Sequence, residues 1–491
     1  MFTLFQQAFR NLAKTAIVDD GQSHSYQSLV EQAQKIASYL LNGKDDLNEA
    51  RVAFMISPGF DYVACQWGIW MAGGIAVPLC ISYPFPSLQY VIEDTDAEII
   101  LAGAEFEEIL APYSSVPHKR FICLKRDRGA AITQLPTISL DRGAMILYTS
   151  GTTSLPKGVL STHGNIEAQI STLIQAWRWS SSDYTLCLLP LHHVHGIINV
   201  VSCALWAGAT VEFTHPFDAK KVFDIFLQGK VNVFMAVPTI YFKLIAQFES
   251  EPEEKQVLIT SYLRPFRLMV SGSAALPVSV MEKWRQISSH YLLERYGMTE
   301  IGMAISNPYE GERKAGYIGQ PLPEVQIRLV DEAEQVVAPN QPGEIQVKGP
   351  SVFKEYWGKA EATQKAFTSE GWFKTGDIAV VEDGYYRILG RDSIDIIKSG
   401  GYKISALEIE EILRTHPLIR DCGVVGLPDE EWGELVAAAV ITDQLDSNTL
   451  NSWIRERMPA YKSPRKYIFI EELPRNAMGK VVKNDLKKLF H

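Results

Sequence analysis

The string Tyr148-Thr149-Ser150-Gly151-Thr152-Thr153-Ser154-Leu155-Pro156-Lys157-Gly158 gathers small hydroxyl side chains, glycines and one lysine between an apolar run and a helical pattern. Small residues let backbone N–H groups approach phosphate oxygens, and Lys157 adds the opposing charge, so the string reads as an anion-binding loop. It is not the P-loop of nucleoside triphosphatases. Pro156 stands where that motif needs glycine before the lysine, and Gly158 stands where Ser or Thr must hold magnesium. A plain surface turn is the alternative that this composition permits.

Further strings follow in order: Leu189-Pro190-Leu191-His192-His193, Ser271-Gly272-Ser273-Ala274, Tyr296-Gly297-Met298-Thr299-Glu300, Gly343-Glu344, Trp372-Phe373-Lys374-Thr375-Gly376-Asp377, Gly390-Arg391 and Pro474-Arg475-Asn476-Ala477-Met478-Gly479-Lys480. Together with the loop they resemble the adenylate-forming superfamily of acyl-CoA synthetases, luciferases and peptide-synthetase adenylation domains, nearly end to end. The resemblance implies small-molecule partners: ATP, Mg2+, a carboxylic acid and coenzyme A. An acid carboxylate attacks the α-phosphate of ATP and pyrophosphate leaves; the CoA thiol then displaces AMP. Two anions must meet in the first step, so cations are needed where negative charge develops.

The resemblance also distributes roles. Thr149, Ser150, Gly151, Thr152, Thr153 and Lys157 would cradle the phosphates, and Thr299 would touch the α-phosphate. Lys480 would bridge acid and phosphate oxygens. Asp377, with Arg391 beside it, would hold the ribose hydroxyls, although an ion pair between the two is a structural alternative. Ser273, Ala274, Tyr296, Gly297 and Met298 would line the nucleotide, and Glu300 would ligate Mg2+ through oxygen. For the second step the resemblance implies rotation of a small domain about a hinge between Asp392 and Ile394, with Asp392 the preferred residue. Gly400 and Gly401 would then pass close to pantetheine, and Tyr402 and Lys403 would meet the CoA nucleotide. A turn between strands is the other reading of that glycine pair.

The strings at 271–277, 293–300, 306–308 and 398–408 are similar to malonyl-CoA synthetases. Arg295 falls a few residues before Thr299 and Glu300, hence near the reacting carboxylate. A fatty-acid pocket would not hold an unpaired guanidinium in its wall, whereas a dicarboxylate neutralises it through a bidentate pair. His193, if protonated, and Ser271 are expected on the same side, with His195 as a neighbour. Pairing of Arg295 with Glu294 is the structural alternative. Two other functions stay open: a medium-chain or aromatic acyl-CoA synthetase, and an inactive nucleotide-binding regulator.

These residues need a scaffold. Apolar runs at Arg51 to Ser57, Gly143 to Tyr148 and Val231 to Val237 alternate with helical patterns, which predicts an α/β fold with largely parallel sheets. Ile166, Ile170, Leu173 and Trp177 mark one helix. Phe2, Phe5, Phe9 and Leu12 mark a first core helix, and Val63 to Cys80 reads as a buried helix followed by a strand. The expected architecture is a large domain of stacked α/β subdomains, residues 1–390, and a small mobile α+β domain, residues 391–491. Ser405 and Glu408 form an S-x-x-E capping box that starts a helix in the latter.

Composition narrows the class. Across 491 residues, 46% hydrophobic and 21% charged, the net charge is −10. An acidic balance argues against a nucleic-acid partner. Six scattered cysteines without a C-x-x-C pair suit reduced thiols and a cytoplasmic enzyme. No stable membrane insertion is expected, and oligomeric state is left open. Lys480, Lys483, Lys487 and Lys488 form a basic cluster able to meet phosphate, with Lys487 and Lys488 better read as a solvated helix face.

Overall fold

The apolar runs become the middles of two sheets. In the computed structural model, which describes residues 2–124, 134–149, 156–392, 394–476 and 479–490, Arg51–Met55 lies between Ile75–Pro78 and Ile99–Gly103, all parallel. Gly143–Thr149 extends this seven-stranded sheet beside Ile75–Pro78 and turns back antiparallel as Lys157–Thr162. The expected helix, His163–Trp177, comes only after that extra strand; Thr162 and Asn165 cap it reciprocally.

A nine-stranded sheet holds Tyr184–Cys187, Val233–Ala236, Leu268–Ser271 and Leu293–Met298 as parallel neighbours. Val233–Ala236 and Leu268–Ser271 are buried along their whole length, as strands covered on both faces must be. Helices Tyr26–Leu41 and Phe60–Met71 pack between the sheets and join them into one apolar core. Phe60–Met71 and Ile75–Pro78 are the expected helix and strand. No described helix is long and apolar enough to cross a membrane. The first helix, Thr3–Arg10, buries Leu4, Phe5 and Ala8, while Phe9 faces outward at 38% exposure. The expected stripe therefore turns by one position.

A third sheet departs from the parallel expectation. Gln326–Val330, Gly343–Lys348, Phe373–Glu382 and Tyr385–Arg391 are all antiparallel. The reason is local. Asp383 and Gly384 both take positive φ, 51° and 79°, and a two-residue Asp-Gly turn of that kind closes a hairpin.

Beyond Arg391 the chain builds a separate five-stranded sheet with its own apolar clusters. Its helix Ala406–Arg414 begins at Ser405, whose Oγ accepts from the Glu408 N–H at 3.2 Å.

Candidate active site

The strand Leu293–Met298 divides the site, because successive side chains point to opposite faces. On one face the Tyr296 hydroxyl donates to Asp377 Oδ2 at 2.7 Å. Asp377 and Arg391 are direct partners across their hairpin. Yet Arg391 Nε lies 3.8 Å from Asp377 Oδ1, too long for a hydrogen bond, and Arg391 Nη2 donates instead to the Thr375 carbonyl at 3.0 Å. Burial raises the Asp377 carboxyl, against the pull of Arg391, Tyr296 and Lys480. Behind it, the Gly376 N–H donates to Glu344 Oε1 at 2.9 Å.

Glu300 is buried in the turn that follows the strand. Its Oε1 accepts from the Tyr356 hydroxyl at 3.0 Å, and its Oε2 has no partner among the described residues. Burial raises its carboxyl too. Lys157 Nζ sits 4.9 Å from the centre of the Tyr356 ring, so Lys157, Tyr356 and Glu300 form a chain. Thr149 pairs with Lys157 at the mouth of the hairpin; Ser150, Gly151, Thr152 and Thr153 lie outside the described residues. Thr299 is half-buried next to Glu300, and Gly297 and Met298 pair with Met303 and Gly302. The described residues contain no cluster of three metal-ligating side chains. A single orphaned carboxylate oxygen suits Mg2+, which keeps water and phosphate oxygens among its ligands.

The opposite face is built around Arg295, only 4% exposed. Its Nη2 donates to Ser273 Oγ over a long 3.5 Å; among the described residues its Nε has no partner and no carboxylate pairs with it. Glu294, weighed as its partner, points the other way: Oε1 accepts from the Leu276 N–H at 3.3 Å, and burial pushes its carboxyl up to about 8. Ser273 holds φ at 71°, and its Oγ lies 3.1 Å from His195 Nδ1. Ala274 follows in the same turn. Ser271 Oγ is buried without a partner among the described residues. The rings of His192 and His193 stand 4.1 Å apart, and burial pulls them down to about 3 and 4. Burial thus disfavours the protonated form on which a charge-based role for His193 depends.

Lys480 reaches this cleft from the small domain. Its N–H donates to Asn476 Oδ1 at 3.0 Å, closing a tight turn in which Gly479 takes φ 73°. A Cβ on Gly479 would lie 2.5 Å from Thr239 Oγ1, so the turn sits directly on the large domain. Glu411 of the small domain accepts from the Val278 N–H at 3.2 Å and caps helix Val278–Ser288 across the interface. Asp392, the expected hinge, donates its N–H to the Gly376 carbonyl at 3.0 Å and leaves its carboxylate 3.7 Å from Lys398.

Gly400, Gly401, Tyr402 and Lys403 stand apart from the cleft. The glycines, at φ 56° and 81°, form the turn between strands Ile396–Ser399 and Tyr402–Ser405. Tyr402 stacks on Tyr461 at 4.4 Å, and Lys403 pairs with Glu332 of the large domain at 2.6 Å. Lys483, grouped by sequence with the outward lysines, is buried: it donates to Glu410 and to the Val424 carbonyl and lies 3.8 Å from Asp395. Sequence reasoning missed Tyr356 and Glu411. Tyr356 enters only through pairing of Glu355–Tyr356 with Lys157–Thr162, and no local pattern announces it.

A lysine turn seated by a small domain over a carboxylate-lined cleft, on stacked α/β sheets, defines an adenylate-forming ligase. The chain belongs to the AMP-binding enzyme family, whose profile matches residues 4–357, with the AMP-binding enzyme C-terminal domain matching residues 408–480. It is 44% identical to the mitochondrial malonate–CoA ligase of Xenopus laevis, over 97% of this chain and 90% of that protein. It is 40% identical to the malonate–CoA ligase of Arabidopsis thaliana, over 99% and 87% respectively. The crystal structure of ATP-bound MatB from Rhodopseudomonas palustris superposes with a TM-score of 0.92 at 32% identity, covering 100% of this chain and 99% of that one.

Proposed function

We propose that the protein ligates malonate to coenzyme A through malonyl-AMP, and that 2-methylmalonate is accepted at the same site. The observation that carries this reading is Arg295, a buried guanidinium beside Gly272 and Ser273 without a carboxylate partner among the described residues. Leaving such a charge unpaired is costly, and the second carboxylate of a short dicarboxylic acid removes that cost. The malonate–CoA ligase relatives support the same substrate.

In the first step a malonate carboxylate oxygen bonds to the α-phosphorus as the bond to pyrophosphate breaks. Lys480 offers its charge between the acid and phosphate oxygens, Thr299 hydrogen-bonds the α-phosphate, and Lys157 with the loop from Thr149 holds the departing phosphates. Asp377 accepts from the ribose hydroxyls, steadied by Tyr296 and Arg391. Glu300 would ligate Mg2+, which neutralises phosphate charge when bound. Neutral His193 lies beside the acid and orients it by hydrogen bonding. Similarity to an ATP-bound relative supports reading the present seating of Lys480 as the adenylating arrangement.

The second step breaks the acyl–phosphate C–O bond as CoA sulfur bonds to the carbonyl carbon; AMP leaves and the thiol proton passes to solvent. For this the small domain turns about Asp392, releasing Lys403 from Glu332 and carrying Gly400, Gly401 and Tyr402 to the cleft. Buried free thiols suit a reducing compartment, and the cytoplasm is proposed on that ground.

AMP release with ATP, Mg2+ and CoA across acetate, malonate, methylmalonate, succinate, octanoate and benzoate tests the reading. Selective turnover of malonate is expected. Preference for octanoate or benzoate would remove the substrate assignment and leave the ligase chemistry standing.

A further inference from the structure

The Arg295 guanidinium occupies space that only a glycine leaves open. A Cβ built on Gly272 would lie 2.4 Å from Arg295 Cζ and 2.6 Å from both Nε and Nη1. Carbon atoms do not approach that closely without one of them moving. Gly272 is not among the residues with left-handed φ, so its backbone does not demand glycine. What the position demands is room. Its neighbours reinforce this: Ser271 ends the parallel strand, and Ser273 is held in a left-handed turn with its hydroxyl between Arg295 Nη2 and His195 Nδ1. The guanidinium therefore lies over the Ser271–Ser273 backbone, steadied from one side by Ser273 and by contact with bare backbone at Gly272.

We propose that Gly272 is a specificity-determining position: its missing side chain is the slot that lets Arg295 face a second carboxylate. The inference rests on the malonate reading and names the residue that makes room for its selector. The atoms an alanine would meet are the end of a flexible side chain, not backbone. The arginine gives way and the fold survives, but the guanidinium leaves the position where it can pair with the acid's far end. A monocarboxylate makes no use of that pairing, so the loss falls on the dicarboxylate.

The test is a double-mutant cycle with Gly272→Ala, Arg295→Ala and both together, reading kcat/KM for malonate and propanoate and the KM for ATP. Gly272→Ala should lower malonate kcat/KM roughly 10- to 100-fold, the scale of a hydrogen bond to a charged group, and the malonate-to-propanoate ratio should fall with it. On the Arg295→Ala background the same change should alter malonate kcat/KM by less than about twofold, because the clash no longer exists. Equal losses for both acids, or an undiminished loss without Arg295, would overturn the proposal. So would failure of Gly272→Ala to fold, since the alanine would then be pressing on backbone. A wild type that prefers propanoate rejects the malonate reading itself. A wild type that prefers malonate but shows no coupling in the cycle rejects only the role of Gly272.

Discussion

Arg295 and Lys483 are both buried cations, 4% and 7% exposed, and their surroundings differ. Lys483 has the Glu410 carboxylate, the Val424 carbonyl and, at 3.8 Å, Asp395. Burial would raise Glu410, but Lys483 and Arg414 outweigh it and hold the carboxyl low. Among the described residues Arg295 has one long hydrogen bond to a serine and an unpartnered Nε. A paired buried charge anchors structure, whereas a buried charge missing its counter-ion marks where a ligand's charge belongs. Lys483 follows Lys480 by three residues, so its anchoring fixes the base of the turn that carries Lys480.

The comparison breaks first at Lys483. Replacing it with alanine should destabilise the small domain by about 3 kcal/mol, because Glu410 loses its lysine and keeps only Arg414, at 3.3 Å, as a counter-ion in the core. Urea unfolding would read this, and the malonate-to-propanoate ratio of the folded fraction should not change. Arg295→Ala should do the reverse. Malonate kcat/KM should fall roughly 100- to 1,000-fold, while the unfolding midpoint of the free protein holds or rises, since no buried carboxylate loses its partner. A drop in stability like that of Lys483→Ala would mean that Arg295 is structural.

The smallest effect concerns His193, whose ring burial lowers from 6.5 to about 4. Between those values the unfolded chain binds a proton that the folded chain does not. Stability of the free protein should therefore fall as pH drops from 6.5 towards 4 and be complete above 6.5. His193→Gln should remove part of that fall in melting temperature, with His192 and His195 retaining the rest. An unchanged pH dependence in the variant would show that His193 titrates as a solvated ring.

The grouping of Tyr296, Asp377 and Arg391 was legible in sequence, because each rests on a contiguous string and the structure brings the three together. Asp377 and Arg391 each sit in a recognisable motif, and the hairpin between them sets them opposite one another. Residues that act through packing were not legible. Tyr356 reaches Glu300 from a strand paired to it only in three dimensions. Lys483 read as one of a basic cluster able to meet phosphate until a folded core supplied Glu410. Gly272 was visible as one glycine in a Ser-Gly-Ser turn, but the guanidinium filling its space comes from the next strand of the sheet. Gly400 to Lys403 also needed the structure: their spacing fits both a turn and a CoA contact, and the turn is what this arrangement of the domains displays.

The most direct test of the central claim is discrimination between malonate and its monomethyl ester, measured as a ratio of kcat/KM in the wild type and in Arg295→Ala. The two acids share the reacting carboxylate, and the ester replaces the charge at the far end with a methyl cap. A ratio of roughly 100 or more in the wild type that collapses towards unity in the variant is the predicted result. A ratio that survives removal of Arg295 would contradict the account and place the recognition of the second carboxylate elsewhere in the cleft.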